Sequence, residues 1–315
     1  MTEGRLVYLS GDFVPESEAR VSIFDTALMF GDMVFEMTRS YNMEPFRLRH
    51  HLERLYAGIK ILEIDCGLDI DEMEAATMET IEINKDRMPE GVDYQIMHNV
   101  SNGPLGLYSS VFPEGIKPTI SINVWPLTWH LAGIADYYDT GVHSILTQQQ
   151  SVPARYIDPK IKNRSRVFYQ VANLQAHKID PKAYALLSDE DGFITEGTGN
   201  NFFIVKDGVI YTPEGRNILR GVTRGTVIDL AAELGIPLQE TNLEAYDVHG
   251  ADEAFVSSTS MFILPVTKFN TLPVGDGEIG PTVQRLTDAF SGMVGVDIVS
   301  QAKQYKAEAE ATAGG

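Results

Sequence analysis

The sequence predicts an α+β fold of two domains. Its 315 residues exceed what one hydrophobic core usually supports. Both halves of the chain alternate strand patterns with amphipathic helix patterns, an order typical of mixed, mostly antiparallel sheets with helices packed on them. We expect a small N-terminal domain at residues 1–127, a linker at 128–141, a larger C-terminal domain at 142–302 and a flexible tail at 303–315.

The first half begins with a hairpin pattern and continues with two helices. Short alternating runs flank the turn Ser10-Gly11, as in an antiparallel hairpin. Apolar residues recur on one helical face over residues 52–59, and more weakly over 70–81, where Asp69 suits an N-cap. Residues 119–125 alternate in the manner of a strand.

The second half follows an aromatic-rich stretch that shows neither period, and we place the linker in that stretch. A strand and a helix come next, and then a compact meander of strands, another helix, a further strand and a last helix that opens with proline. The expected elements are strands at 142–147, 184–188, 192–195, 201–205, 209–212 and 253–258, and helices at 168–176, at 223–234 and from 281.

Charge and cysteine content restrict the class of protein. Asp and Glu outnumber Lys and Arg by 44 to 25, and the resulting net charge of −19 repels nucleic acid and anionic membranes. Cys66 is the one cysteine, so no intrachain disulfide can form, which fits a reducing compartment. The sequence shows no apolar run of signal-peptide or membrane-span length, and we expect a cytoplasmic protein.

Two separated residues indicate the chemistry. Lys162 stands just ahead of a helix, and Glu196 opens the run Glu196-Gly197-Thr198-Gly199. An amine and a carboxylate are what an enzyme needs to hold pyridoxal 5'-phosphate, since lysine binds the aldehyde and the acid keeps the ring nitrogen protonated. Either residue alone says little.

Other residues are candidates for holding a phosphate. Val222 and Thr223 begin a helix after Arg220-Gly221 and can direct N–H groups at an anion. Ser258 and Thr259 supply hydroxyls at the end of a strand, and Arg54 carries a fork of donors. The more ordinary interpretations are that the two hydroxyls cap the end of the strand and that Arg54 lies on a solvent-exposed face of its helix.

Three other site types are not indicated. The Gly197-Thr198-Gly199 run lacks the third glycine of a dinucleotide loop and precedes a strand instead of a helix. The seven histidines have no metal-ligand spacing with acids or with cysteine, so we predict no metal site. The sequence contains no Gly-x-Ser-x-Gly elbow, so a serine hydrolase is unsupported.

Several blocks in matching order, from about Tyr8 to Phe290, resemble the class IV pyridoxal-phosphate aminotransferases. The family includes branched-chain amino acid aminotransferases, D-amino acid aminotransferases, (R)-selective amine transaminases and aminodeoxychorismate lyases. The blocks that carry the resemblance are residues 24–36, 51–55, 161–163, 195–197, 200–202, 219–224, 251–253 and 279–281.

The resemblance implies a fold and a set of roles. The fold is that of the fold type IV enzymes, with a small N-terminal α/β sandwich domain and a larger C-terminal domain around a mixed, β-barrel-like core, assembled as a homodimer. Lys162 matches the catalytic lysine that holds the cofactor, and Glu196 matches the acid on the ring nitrogen. Arg54, Val222, Thr223 and Thr259 match phosphate-binding positions, and Ser258 lies beside them.

The substrate side departs from the family. Branched-chain enzymes usually carry a Tyr-x-Arg on the strand that is Tyr94–Asn102 here, and D-amino acid enzymes carry an arginine and a histidine nearby. This strand has no arginine. The candidate substrate-binding residues are Phe30, Phe35, Arg39, Tyr94, His98, Arg166 and Ser260.

We therefore expect a cofactor-dependent aminotransferase that moves an amino group between a branched-chain or other apolar amino acid, or an amine, and a 2-oxo acid. The pattern of Val34-Phe35-Glu36 with Arg39 favours the branched-chain side. The alternatives are a D-amino acid or (R)-selective amine transaminase, an aminodeoxychorismate lyase, which needs no 2-oxo acid acceptor, and a non-catalytic protein that binds the cofactor.

Overall fold

The computed structural model describes residues 4–313. Internal contacts divide the chain into two compact units. Unit 1 runs to Leu127 and also contains Ile161–Arg166, and unit 2 contains Thr128–Lys160 and the chain from Val167 onward. In this described part of the chain, no helix is both long enough and apolar enough to cross a membrane.

Unit 1 is built on an antiparallel sheet. Its strands are β1 (Leu6–Leu9), β2 (Asp12–Pro15), β3 (Met33–Tyr41), β4 (Glu44–Pro45), β5 (Tyr94–Ser101) and β6 (Thr119–Pro126). Their order across the sheet is β2-β1-β6-β5-β3-β4, and each neighbouring pair is antiparallel. β1 and β2 form the hairpin predicted around Ser10-Gly11, where Gly11 has a φ of 107°.

Helices cover one face of this sheet. After the short α1 (Thr26–Phe30), they are α2 (Leu48–Ile61) and α3 (Ile70–Asn84). The Asp69 carboxylate accepts the N–H groups of Asp71 and Glu72, and the Glu72 carboxylate accepts that of Asp69, which confirms the predicted cap. The core between helices and sheet includes Leu52, Leu55, Met73, Ile96 and Ile122.

Residues 161–166 pair with the edge of the unit 1 sheet. The N–H of Phe35 donates to the carbonyl of Lys162 at 2.9 Å, and the N–H of Arg164 donates to the carbonyl of Met33 at 3.0 Å. Our sequence-based bounds assigned this segment to the second domain. Backbone hydrogen bonds leave no periodic signal in the sequence, and for this reason the pairing was not foreseen.

Unit 2 is built around a closed barrel. Its strands are β7 (Val142–Leu146), β8 (Tyr184–Ser188), β9 (Ile194–Gly197), β10 (Asn201–Lys206), β11 (Val209–Pro213), β12 (Leu238–Thr241), β13 (Glu253–Ser258), β14 (Phe262–Phe269) and β15 (Leu272–Pro273). The six strands β7-β8-β9-β10-β13-β14 form a ring in which β7 runs parallel to both neighbours and the other pairs are antiparallel. The ring confirms the predicted mixed, barrel-like core.

The predicted linker is largely helical and belongs to unit 2. It contains α4 (Thr128–Leu131) and α5 (Tyr137–Thr140). Tyr138 is buried, and its hydroxyl donates to the carbonyl of Met261 at 2.6 Å. Tyr138, one of the aromatic residues that broke the helical period, therefore anchors this segment to the unit.

The remaining helices are α6 (Val167–His177), α7 (Val222–Glu233), α8 (Ala245–His249), α9 (Pro281–Val294) and α10 (Ile298–Ala313). α10 replaces most of the predicted flexible tail, of which residues 314 and 315 lie outside the described chain. Its residues Ile298, Ala302 and Tyr305 recur on one face and are buried. An Ala-, Lys- and Glu-rich composition suits an exposed helix as well as a disordered tail, so composition alone misled us.

One cap joins two of the sequence blocks in unit 2. The Glu253 carboxylate accepts the N–H groups of Thr282 and Val283 at 3.0 and 2.9 Å, at the start of α9. A Cβ at Gly280 would lie 2.1 Å from the Glu253 side chain, so the block needs glycine there. The acid and the Gly-Pro pair are thus parts of one helix cap supplied from a barrel strand.

Candidate active site

Glu36 forms a buried ion pair on the helix-covered face of the unit 1 sheet. Arg54 donates from Nε to Oε1 at 2.6 Å and from Nη2 to Oε2 at 2.8 Å, and His51 Nδ1 lies 2.8 Å from Oε2. Burial alone would raise the pKa of Glu36, but the Arg54 charge and the bonds from both partners outweigh it and hold that pKa far below its ordinary range. The carboxylate therefore stays ionised and fixes the Arg54 guanidinium.

Lys162 lies with two arginines around one aromatic ring on the other face of the same sheet. Alternation along β3 turns Phe35 away from Glu36. Lys162 Nζ lies 4.9 Å from the centroid of the Phe35 ring, and the Cζ atoms of Arg164 and Arg166 lie 3.7 and 4.9 Å from it. The structure thus brings together three residues that the sequence analysis singled out, namely Lys162, Phe35 and Arg166.

Tyr94 and His98, two predicted substrate-binding residues, lie on the helix-covered face of β5. The buried Tyr94 hydroxyl donates to the carbonyl of Met43 at 2.7 Å. His98 is fully buried with Nε2 2.8 Å from Thr77 Oγ1, and burial lowers the pKa of His98 to about 4. Both side chains are part of the core, so we correct that prediction and omit them from the substrate site.

Two further candidates have different surroundings. Arg39 is buried, with Nε donating to the carbonyl of Ser40 and Cζ 3.7 Å from the Tyr41 ring centroid. Phe30 ends α1 and is 62% exposed. Arg39 shares the face of Phe35, because both have odd numbers on β3, whereas Phe30 precedes that strand.

In unit 2, the Glu196 carboxylate is held by three donors. It lies on β9 and is buried. The Tyr169 hydroxyl donates to Oε1 at 2.8 Å, and Oε2 accepts the Asn201 amide at 3.2 Å and the Leu219 N–H at 3.0 Å. Hydrogen bonds to the charged form stabilise it. The arrangement is suited to present a fixed negative charge.

The start of α7 lies against the same residues. Gly221 precedes the helix and makes no side-chain cap, so within residues 4–313 the N-cap position leaves the first N–H groups, those of Val222 and Thr223, uncapped. A Cβ at Gly221 would lie 2.2 Å from Asn201 Oδ1, so glycine lets the helix approach Asn201. Uncapped N–H groups at a helix start suit an anion.

A row of polar residues crosses three neighbouring barrel strands. Glu196 pairs with Asn201 and Asn201 pairs with Ser257, so the three side chains share one face. Ser257 Oγ is buried and forms no hydrogen bond with the described residues. Ser258 and Thr259 follow in half-buried positions, and Ser260 is buried. The row leaves a hydroxyl that a ligand or water can satisfy.

Sequence reasoning did not foresee Asn201 and Leu219 as partners of Glu196. A signal for Asn201 was available, because asparagine is depleted in strands and a buried one needs a hydrogen-bond partner. Leu219 acts through its backbone N–H, which no side-chain pattern reveals.

Comparisons with known proteins agree with this architecture. Residues 33–269 match the model of the amino-transferase class IV family. A putative branched-chain-amino-acid aminotransferase of Methanocaldococcus jannaschii is 35% identical over 285 residues, 90% of this chain and 94% of that protein. A D-alanine aminotransferase of Staphylococcus aureus is 29% identical over 90% of this chain and 96% of its own length.

A solved structure extends the likeness to the fold. A branched-chain amino acid aminotransferase from T.th., solved with pyridoxamine 5'-phosphate, superposes with a TM-score of 0.81 at 28% identity, covering 98% of each chain. The match to the family model thus spans most of the chain. The chain belongs to the class IV aminotransferases and is a transaminase.

Proposed function

We propose that the protein uses pyridoxal 5'-phosphate to move the amino group of an apolar amino acid to a 2-oxo acid. The observation that carries this proposal is the Glu196 carboxylate, buried and held by three donors within the unit 2 barrel. A protonated pyridine nitrogen is the kind of group such a fixed charge pairs with. The branched-chain enzyme from T.th. was solved with pyridoxamine 5'-phosphate, which supports the same cofactor here.

The residues present fit a phosphate. Val222 and Thr223 offer N–H groups without a side-chain cap, and the buried Ser257 hydroxyl has no partner among the described residues. We propose that Val222 and Thr223 hold the phosphate together with Ser258 and Thr259. We also propose Arg54 for it, since Glu36 already fixes the guanidinium by two hydrogen bonds.

When bound, the cofactor supplies an electron sink for the charge left on the substrate carbon after proton removal. Lys162 is the residue we propose to hold the cofactor, and its released amine would take the proton from the substrate α-carbon and would deliver it to the cofactor. The hydrogen bonds that Glu196 accepts from Tyr169, Asn201 and Leu219 favour its ionised form.

A labelling experiment tests the lysine. Borohydride reduction of the holoenzyme should attach the cofactor to the peptide that contains Lys162, and Lys162→Ala should abolish the label. Lys160→Ala is the matched control, since that nearby lysine pairs with Asp158 at 2.8 Å and with the Arg216 carbonyl. Peptide mapping that finds the label elsewhere in wild type would overturn the assignment.

A donor screen tests the substrate class. L-Leucine, D-alanine, and (R)- and (S)-1-phenylethylamine are added separately to holoenzyme, and the absorbance of the cofactor is followed. We expect the fastest change with L-leucine, by analogy with the Methanocaldococcus jannaschii relative. The second candidate is a D-amino acid transaminase, favoured by the Staphylococcus aureus relative. A fast response to D-alanine alone would establish it instead.

We further propose a homodimer, on family resemblance, and a cytoplasmic location. Sedimentation of purified protein should give a species of twice the chain mass. A single monomeric species at micromolar concentration would contradict the dimer.

A further inference from the structure

Residues 162–164 present two cations on one face of the unit 1 sheet. Val34 pairs with Asn163, so Lys162 and Arg164 flank that pair and project on the opposite side, together with Phe35. Lys162 Nζ lies 4.9 Å and Arg164 Cζ lies 3.7 Å from the centroid of the Phe35 ring. The two cationic groups are therefore neighbours over a single ring.

Arg164 has no counter-charge within the part of the chain that the structure describes. Its Nη2 donates to Asn99 Oδ1 at 2.9 Å and approaches Met97 Sδ at 3.1 Å. Among residues 4–313, no carboxylate lies in ion-pair distance of it, although acids outnumber bases by 44 to 25 in the sequence. Part of the side chain packs against Phe35 and β5, and this partial burial, followed by the like charge of Arg166, lowers the pKa of Arg164. The rest of the side chain is exposed to solvent, so an anion can reach it.

We propose that Arg164 binds the α-carboxylate of the substrate. This inference rests on the proposed function, because the α-carboxylate is one bond from the carbon whose proton Lys162 removes. A guanidinium presents paired donors that match a carboxylate, and the Cζ of this one lies 3.7 Å from the centroid of the Phe35 ring. Asn99 is the positioning residue, since it holds Nη2 from one side and donates to Ser121 Oγ at 3.1 Å.

The position of Arg164 accounts for the missing arginine on β5. Met97 and Asn99, which Arg164 contacts, lie on β5, the strand on which branched-chain enzymes of this family usually carry an arginine. Here Arg164, which belongs to the segment 161–166, lies over that strand. The same type of charge is thus supplied from a different segment of the chain.

The test compares two ligands that differ in one group. 4-Methylpentanoate carries a carboxylate and 4-methylpentanamide carries a neutral amide on the same carbon skeleton. Binding of each to holoenzyme is measured by calorimetry for wild type, Arg164→Gln and the control Arg49→Gln, whose exposed side chain pairs with Asp71 and Glu74. We expect Arg164→Gln to weaken carboxylate binding about 10- to 100-fold and leave amide binding unchanged. Arg49→Gln should change neither.

Asn99→Asp provides a second, isosteric test. It places a carboxylate 2.9 Å from Arg164 Nη2, where it competes with the ligand. We expect weaker binding of 4-methylpentanoate and a higher KM for L-leucine, with kcat changed less than KM. Asn99→Leu, which removes the bond without adding charge, should have a smaller effect.

Three outcomes would overturn the proposal: equal binding of the two ligands by wild type, equal loss of both in Arg164→Gln, or no effect of Asn99→Asp on carboxylate binding. A failure of the proposed function is distinct, since wild-type holoenzyme would then convert no amino donor at all. Retained conversion of L-leucine together with any of the three results assigns the failure to Arg164 alone.

Discussion

Replacing Gly221 with alanine should disrupt the hydrogen bonds around Glu196, whereas the same change at Gly225 should not. A methyl group at 221 would lie 2.2 Å from Asn201 Oδ1, and one at 225 would meet no heavy atom within 4 Å. Gly221 has a φ of −61° and a ψ of 136°, which alanine adopts readily. The expected effect therefore comes from the contact with Asn201 and not from the backbone.

The magnitude follows from the bonds that Asn201 must give up. Its Nδ2 donates to Glu196 Oε2 at 3.2 Å and to the Leu219 carbonyl at 2.9 Å. Losing a bond to a charged group costs about 1.5–3 kcal/mol, and losing one between neutral groups about 0.5–1.5 kcal/mol. We expect Gly221→Ala to lower the free energy of unfolding by about 2–4 kcal/mol. Gly225→Ala should raise it by up to about 1 kcal/mol, through helix propensity.

Urea unfolding followed by circular dichroism measures both variants, and a double-mutant cycle with Asn201→Ala tests the cause. If the methyl group acts through Asn201, adding Gly221→Ala to Asn201→Ala should cost much less than adding it to wild type. Fully additive losses, or a Gly221→Ala variant as stable as wild type, would refute the reasoning.

Two further predictions concern unit 1. The pKa of His98 is about 4 in the folded protein and 6.5 ordinarily, so between these values only the unfolded chain binds the proton, and the free energy of unfolding falls as the pH is lowered. His98→Gln should reduce the slope of the unfolding free energy against pH by up to about 1.4 kcal/mol per pH unit, measured by urea titrations from pH 6.5 to 4.5. An unchanged slope would contradict a buried, neutral His98 ring. Glu36→Gln should lower the free energy of unfolding by about 3–5 kcal/mol in the same assay, because it breaks a buried ion pair. Arg49→Gln, which removes an exposed ion pair, should lower it by less than about 1 kcal/mol. Similar losses in the two variants would contradict the role given to burial.

Elements with local signals could be predicted from the sequence. The cap at Asp69 and the proline that opens α9 mark helix starts, and the turn at Ser10-Gly11 marks a hairpin. Each signal depends on neighbouring residues along the chain, so it can be recognised without knowledge of the fold. The cofactor candidates Lys162 and Glu196 were found in the same way, from residue type and from resemblance.

The remaining features depend on contacts that are distant in sequence. β3 was not foreseen, because its buried residues include Glu36, Thr38 and Arg39, which erase the apolar alternation of a strand. Glu36 can be buried only because Arg54 and His51 arrive from α2. The role proposed for Arg164 likewise required knowing which strand lies beneath it.

The register of residues 161–166 on β3 decides which side chains can do chemistry. Ile161 is buried in the unit 1 core with Val34, and a Cβ at Gly58 of α2 would lie 2.8 Å from Val34 Cγ1 and 3.6 Å from Ile161 Cγ2. Glycine at 58 thus lets α2 close over both side chains. A slip of one residue would turn Lys162 into that core and expose Ile161 instead, because side chains alternate along an extended segment. The close packing at Gly58 therefore fixes the face on which both Lys162 and Arg164 stand.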